Sequence, residues 1–303
     1  MITVIIPTYE RPGLLQDALR SVASQQYRDV EVVVVNDGGR PVDDAVAPWR
    51  RSLDIVLMDL PERTGPARAR NAAIDVASGD LLAFLDDDDV FLPHHLELLH
   101  DALAERPDLD LVYSGALVSD HRLDSVPHDW LQMHRKAYRF DERFLLVTNF
   151  IHTGSVLVRN FADSTVRFDE SLTHCEDWDL WIALRFDLGL AIEYVDGLSS
   201  IYHQVPGTAG LVAQAQTVVP SPFTVVRERL HARWPATDGL VGAYRDWLTE
   251  FEQHRNEVII TGQPVPTLLF DRVLRHLFDR FVRGDDPDLG AIPRLFDDGV
   301  APE

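Results

Sequence analysis

An apolar run, Leu81-Leu82-Ala83-Phe84-Leu85, ends abruptly on four consecutive aspartates, Asp86-Asp87-Asp88-Asp89. No other feature restricts the fold as tightly. An unbroken apolar run reads as a strand buried on both faces, as in a parallel sheet covered by helices. Ligands of such sheets gather at the carboxyl ends of the strands. Four like charges there repel one another and lose hydration, so something must compensate them. A hard divalent cation such as Mn2+ or Mg2+ takes carboxylate oxygens and bridges to phosphates. The plainer alternative is a solvated acidic turn ahead of a helix, where aspartate is common and suits the dipole. An EF-hand is excluded: Glu97 stands at the twelfth position from Asp86, but Phe91 holds the sixth, where glycine is required.

The same alternation runs through the first half of the chain. Strand patterns cover Thr3–Pro7, Val30–Val35, Asp54–Leu57, Leu81–Leu85 and Leu109–Ser114. Helical patterns cover Pro12–Ser24, Val42–Arg51, Pro66–Ala77 and Pro93–Glu105. Repeated β-α units of this length predict an α/β fold, a mostly parallel sheet with helices on both faces. From Asp120 to Arg143 the pattern fades into polar sequence. Short strands at Ser155–Val158 and Ile192–Val195 flank a helix at Glu176–Leu188. Composition shifts near Val205-Pro206-Gly207, and three amphipathic stretches follow, Phe223–Arg233, Leu240–Gln253 and Pro266–Val282. These predict a helical C-terminal extension over 211–303, with a tail that frays after Arg283.

Net charge is −21, from 49 acidic and 28 basic side chains. That balance argues against nucleic acid as a partner, since phosphate backbones would be repelled. It leaves open a phosphate-bearing substrate, because a cation and a few arginines reverse the local sign. The single cysteine, Cys175, permits no internal disulfide and suits a reducing compartment. The start, Met1-Ile2-Thr3-Val4-Ile5-Ile6-Pro7, reads as a first strand rather than a signal peptide. No stretch approaches the ~18 apolar residues of a membrane span. The expected location is cytoplasmic, with peripheral membrane association open.

Strand ends converge on one edge of a parallel sheet. Here they carry Pro7-Thr8-Tyr9-Glu10-Arg11, Asn36-Asp37-Gly38-Gly39 and the aspartate run, with Gly65-Pro66-Ala67-Arg68-Ala69-Arg70-Asn71 between the last two. A ring to stack on a base, an acid for polar groups of base or ribose, arginines and a metal for a diphosphate suit a nucleotide. Each piece also has an ordinary reading as packing, turn or surface pair. Their order, together with Ala77-Ser78-Gly79-Asp80 and Glu176-Asp177-Trp178-Asp179-Leu180-Trp181, resembles the family 2 glycosyltransferases of the GT-A fold over about residues 1–210.

The resemblance implies a nucleotide-sugar half over about 1–115 and an acceptor half over about 116–210. It implies metal-dependent transfer of a sugar, usually with inversion, from a nucleotide-diphosphate donor, most often a UDP-sugar. The acceptor would be a saccharide, lipid-linked or other hydroxyl. By position, Thr8, Tyr9 and Asp37 correspond to nucleoside-binding residues, and Arg68 or Arg70 to a base or phosphate contact. Asp86 corresponds to the ribose contact and Asp88 to the metal ligand. Asp87 is an extra acid that leaves the register open, and Asp89 is expected to cap the next helix. Alternate residues of an extended segment share a face ~6–7 Å apart, so Asp86 and Asp88 can serve one nucleotide–metal unit.

Asp177 corresponds to the catalytic base, with Glu176 assisting; both could otherwise simply begin a helix. His203 lies where relatives place a histidine near metal or diphosphate, although a lone histidine is commonly structural. His152-Thr153-Gly154-Ser155 falls on the acceptor side, its glycine allowing a ligand close or merely making a turn. The C-terminal helices are a candidate homodimer surface. A nucleotidyltransferase would need a glycine-rich basic loop after the first strand, where this chain has Thr8-Tyr9-Glu10-Arg11-Pro12. A non-catalytic sugar-nucleotide-binding scaffold subunit is the other alternative, against which the paired acids argue.

Overall fold

The computed structural model describes residues 1–128, 130–205, 218–266 and 268–297, and divides the chain into two compact units. The first comprises Met1–Phe140, Ile151–Leu172 and Glu176–His203. Its sheet is built from β1 (Ile2–Thr8), β2 (Val30–Asn36), β3 (Asp54–Asp59), β4 (Leu81–Phe84), β5 (Val90–Phe91), β6 (Leu111–Ser119), β7 (His134–Lys136), β8 (Val156–Arg159) and β9 (Ile192–His203). The order is β3-β2-β1-β4-β8-β6-β9-β5, with β7 on the side of β6. Strands β1 to β4 are mutually parallel, and β6 and β9 are parallel to each other. Strand β8 runs antiparallel between β4 and β6.

Helices cover both faces, as the apolar strand runs require. On one face Ile2, Val4 and Ile6 of β1 join Leu15, Leu19 and Val22 of α1 (Pro12–Ala23), and Leu96, Leu99 and Leu103 of α4 (His95–Glu105) belong to the same core. The neighbouring α2 (Asp43–Val46) is short. On the other face lie α3 (Pro66–Val76) and α6 (Glu176–Phe186), where the Phe84 ring meets Phe168 at 5.5 Å and Trp181 at 6.1 Å.

Four expectations are corrected. The helix predicted over Val42–Arg51 stops at Val46 and continues as a 3-10 turn, Ala47–Trp49, because Pro48 cannot donate to an α-helical ladder. The strand predicted at Ile192–Val195 runs on to His203 across an irregular pairing beside Gly115. The stretch 120–143 contains a strand, β7, which polar residues disguise. The tail after Arg283 does not fray within the described residues: Tyr244 Oη donates to the Asp285 carbonyl at 3.0 Å, Trp247 Nε1 to that of Asp288 at 2.8 Å.

The second unit comprises Asp141–Phe150, Thr173–Cys175 and Gln204–Glu303. Its described helices are α5 (Glu142–Leu145), α7 (Pro222–Arg233), α8 (Gly239–Ile260) and α9 (Leu269–Phe281). Asp141, Ser221 and Asp238 cap three of them through side-chain oxygens. Phe144 packs 5.1 Å from both Phe278 and Phe281. The expected domain boundary at residue 210 lies outside the described residues. Among those described, no helix is long and apolar enough to cross a membrane.

Glu31 is a buried acid that ties β1, β2 and the α3–β4 turn together. It accepts from Thr3 Oγ1 at 2.6 Å, Ser78 Oγ at 2.6 Å and Ser78 N at 3.0 Å. Burial raises its pKa, but these bonds outweigh it and hold the carboxyl below its ordinary value. Its stabilisation is therefore present above the unfolded-state pKa and lost as pH falls through the lower folded value. Glu31→Leu strands the donors and should cost about 3 kcal/mol at neutral pH. The gap from wild type should shrink in acid. Denaturant midpoints across pH test this, and coincident wild-type and variant midpoints at pH 7 would refute it.

Candidate active site

Strand register brings the acids to their partners. Ile5 of β1 lies opposite Phe84 of β4, so Thr8 and Asp87, three residues further along each, also meet. Thr8 Oγ1 donates to Asp87 Oδ2 at 2.7 Å. Arg11, just before α1, pairs through one nitrogen with Asp87 Oδ1 and through Nη1 with Asp88 Oδ2 at 3.0 Å. The Asp87 side chain is fully buried. Burial pushes its carboxyl up to about 7, against the pull of Arg11.

A second arginine organises the other side. Arg70, from α3, is buried, and its two arms reach Asp86 Oδ1 and, at 2.7 Å, Glu176 Oε1. The Phe168 ring lies 5.3 Å from its guanidinium carbon. Burial opposes the charge of Arg70, but the two carboxylates outweigh it and raise its pKa. Burial likewise opposes ionisation of Asp86, yet Arg70 holds that carboxyl below its ordinary range. Glu176 is pushed up by burial. Arg68 instead points outward, 57% exposed and 3.7 Å from Glu170. Of the two arginines, Arg70 turns inward onto acids of the site and Arg68 turns outward.

Asp177 stands beside Glu176 at the start of α6. Its Oδ2 accepts from Thr153 Oγ1 at 2.9 Å and its Oδ1 from the Trp178 amide at 2.8 Å. Thr153 arrives there because β8 runs antiparallel to β4, which returns 152–155 alongside the aspartate run. Gly154 does not leave room for a ligand: a Cβ there would lie 2.7 Å from His152 Nε2, so the glycine accommodates the His152 ring.

The short β5 pairs antiparallel with the end of β9, Val90 opposite Ile201, which carries Asp88 and Asp89 toward His203. The His203 amide donates to Asp89 Oδ1 at 2.8 Å. His203 Nδ1 lies 2.7 Å from the Asp88 carbonyl, and Nε2 lies 3.0 Å from the Leu123 amide nitrogen. Nδ1 donates to that carbonyl, while Nε2 lies close to both the Leu123 amide and, at 3.1 Å, the Leu123 carbonyl. Both ring nitrogens are therefore engaged. Asp89 does not cap α4. The intervening β5 carries the chain away, and His94 holds the cap position without a side-chain bond.

Carboxylate oxygens of Asp86, Asp88 and Asp89 lie within 4.8 Å of one another. Asp89 Oδ2 is buried without a hydrogen-bond partner among the described residues. An all-oxygen acidic set with an unsatisfied buried oxygen fits a hard divalent cation. Arg11 supplies part of the compensating charge in this structure.

At the end of β2, Asp37 anchors the next loop, accepting from Thr64 N at 2.7 Å, Thr64 Oγ1 at 2.8 Å and Gly65 N at 2.8 Å. A carboxylate offers about four lone-pair sites, so one further donor can be accepted. Gly38, at φ +69°, lets this loop pass: a Cβ would lie 2.2 Å from the Glu62 carbonyl carbon. The Arg63 guanidinium lies over the Tyr9 ring at 4.4 Å. Sequence reasoning assigned no role to Arg11, and placed Thr153 only within an acceptor-side segment without its bond to Asp177. Only the strand register, which sequence does not display, brings them to the acids.

Residues 3–165 match the model of Glycosyl transferase family 2. Among curated proteins, the uncharacterized glycosyltransferase YwdF of Bacillus subtilis is 30% identical over 187 residues, 61% of this chain and 68% of that protein. The uncharacterized glycosyltransferase RP339 of Rickettsia prowazekii is 29% identical over 186 residues, 60% of this chain and 57% of its own length. Among solved structures, S. aureus TarS 1–349 in complex with UDP-GlcNAc superposes with a TM-score of 0.63 at 19% identity, covering 94% of this chain and 92% of that one. Mannosyltransferase PcManGT from Pyrobaculum calidifontis, in complex with GDP-Man and Mn2+, gives 0.56 at 19% identity, covering 97% and 84%. These two likenesses establish the GT-A fold.

Removing Arg70 leaves two buried carboxylates without their shared cation. Arg70→Met should destabilise the chain by about 3–5 kcal/mol. Arg70→Lys should recover only part, because an ammonium cannot span both acids with a planar fork. Thermal and denaturant unfolding test this, and a wild-type midpoint for Arg70→Met would refute the bridge.

Proposed function

This chain belongs to glycosyl transferase family 2, and from that premise we propose that it is an inverting, metal-dependent glycosyltransferase acting on a nucleotide-diphosphate sugar, with UDP-sugars the favoured class. The observation that carries the reading is the bridge from Asp86 through Arg70 to Glu176, which joins the acid run to the segment bearing Asp177. Solved proteins of like fold hold UDP-GlcNAc, and GDP-Man with Mn2+, which supports a nucleotide-sugar donor.

In this reading Thr8, Tyr9 and Asp37 receive the nucleoside. Asp86 orients the ribose end from its pairing with Arg70, and buried Asp87 serves indirectly by holding Thr8 and Arg11. Asp88, with Asp86 or Asp89, would hold Mn2+ or Mg2+, which when bound offsets charge on the leaving diphosphate. His203 supports Asp88 through its carbonyl; service as a ligand would require its ring to leave Leu123. Asp177 takes the proton of an acceptor hydroxyl as that oxygen bonds to the anomeric carbon. The carbon–oxygen bond to the diphosphate breaks, its electron pair leaves with the phosphate, and a single displacement inverts the centre. Thr153 and the Trp178 amide fix the Asp177 carboxylate for this task. Residues 1–210 carry the transfer, and the helical extension is a candidate surface for a second copy.

Two variants separate binding from chemistry. Asp177→Asn should keep UDP affinity within about threefold while turnover falls by roughly 10²–10⁴. Transfer or donor hydrolysis near the wild-type rate would remove Asp177 from the role. Asp88→Ala should abolish the gain in UDP affinity that Mn2+ confers. Calorimetry with and without Mn2+ decides this, and an undiminished gain would move the metal elsewhere.

A further inference from the structure

Lys136 is the single lysine of a chain otherwise supplied with positive charge by arginine. It lies on β7, opposite Ala116 of β6. Its ammonium sits 5.2 Å from the centre of the Tyr202 ring. That ring stacks on His152, with centroids 4.4 Å apart, and His152 Nε2 lies 3.3 Å from Asp89 Oδ2. Thr153, the next residue, donates to Asp177. Lys136 therefore crowns a short stack, ammonium to phenol to imidazole, whose foot is the acid cluster and whose neighbour is the candidate base.

The electrostatics agree with this placement. Burial, and after it Lys136, pull the His152 imidazole down to about 4, while Asp86, Asp177 and Asp88 act in the opposite sense. One imidazole thus feels the lysine, the donor-side acids and the base together. Among the described residues no carboxylate lies within ion-pair distance of Lys136 Nζ, although acids outnumber bases by 49 to 28. Of the other cations near the aspartate run, Arg11 and Arg70 are each committed to two carboxylates, and Arg122 donates through Nη1 to the Asp88 carbonyl. An ammonium held at the rim by a ring face, with its donors unspent, can receive an anion.

We propose that Lys136 is an anion-binding residue of this site and takes a phosphate group, either the diphosphate of the donor or a phosphate carried by the acceptor. The inference rests on the nucleotide-sugar reading of the site. The bland role it competes with is packing of the lysine over Tyr202.

A chain with one lysine makes the test direct. Pyridoxal 5′-phosphate, an anionic aldehyde, followed by borohydride should label Lys136 at least tenfold faster than the chain's α-amine, as read by peptide mapping. Protection by UDP with Mn2+ assigns the group to the donor diphosphate. Protection by glycerol 3-phosphate or inorganic phosphate, but not by UDP with Mn2+, assigns it to an anionic acceptor. Lys136→Met should raise the Kd or KM for the protecting species about tenfold, with Lys136→Arg restoring most of it and Tm unchanged in both. Labelling at the α-amine rate, or labelling that no anion slows, overturns the proposal. So does a Lys136→Met variant with unaltered affinity for each of these anions. Calorimetry on wild type separates the two readings: if UDP with Mn2+ fails to bind at all, the donor-site assignment fails, whereas bound UDP with indifferent Lys136 labelling and unaltered anion affinity removes only the lysine.

Discussion

Everything at this site depends on compensating four carboxylates at the end of a buried strand. Two arginines compensate three of them together with Glu176, each spanning a pair: Arg11 joins Asp87 to Asp88, and Arg70 joins Asp86 to Glu176, while Asp89 accepts from the His203 amide. The planar guanidinium suits this bridging, since its fork presents donors in two directions from one charge. Buried ion pairs contribute little net stability, because desolvation offsets most of the attraction. Their value here is positional. Arg70 reaches 106 residues along the sequence to Glu176 and thereby fixes where α6 begins relative to the acid run. The acids are held apart and oriented before any cation or substrate arrives, which is the preorganisation that electrostatic catalysis requires.

Register, rather than proximity in sequence, does the placing. Parallel pairing of β1 and β4 sets Thr8 against Asp87. Antiparallel β8 returns Thr153 to the same edge. The two residues of β5 hold Asp88 and Asp89 against the end of β9. A slip of one residue in any of these strands would turn its side chains to the opposite face and dissolve the constellation. The interruption of the parallel sheet by β8 is thus what brings Thr153 to the acids at the strand ends.

The first half of the chain was largely legible in the sequence. Its strands are unbroken apolar runs, Pro12 and Pro66 mark two helix starts, and the strand ends carry the chemistry. What escaped has physical causes. Arg68 and Arg70 both sit among alanines, so neither periodicity nor composition says which turns inward. Asp89 was expected to cap a helix because aspartate favours that position, but the two-residue β5 intervenes and its carboxylate receives the His203 amide. The length of β9 was hidden by Asp196-Gly197, where the chain reads as a turn yet pairs irregularly with β6. The tail looked soluble and loose from its Asp, Pro and Gly content, whereas its backbone carbonyls satisfy Tyr244 and Trp247.

The same reasoning explains why the stretch 120–143 was read least well. Hydrophobic periodicity detects strands that are buried on at least one face. Strand β7, with the sequence His134-Arg135-Lys136, is half-buried along its whole length and carries no apolar residue at all. It is held by backbone pairing to β6 and by ring contacts, Arg135 over Trp130 and Lys136 over Tyr202. Such a strand has few side-chain constraints from the core. The aspartate edge, by contrast, is bound to the sheet register and to buried charge pairs that tolerate little change. Chemistry common to a family is therefore expected on the framework fixed by register and buried charge, and substrate choice on loosely constrained strands, so polar segments such as 120–143 are where a sequence reading should look for specificity because they lack a pattern.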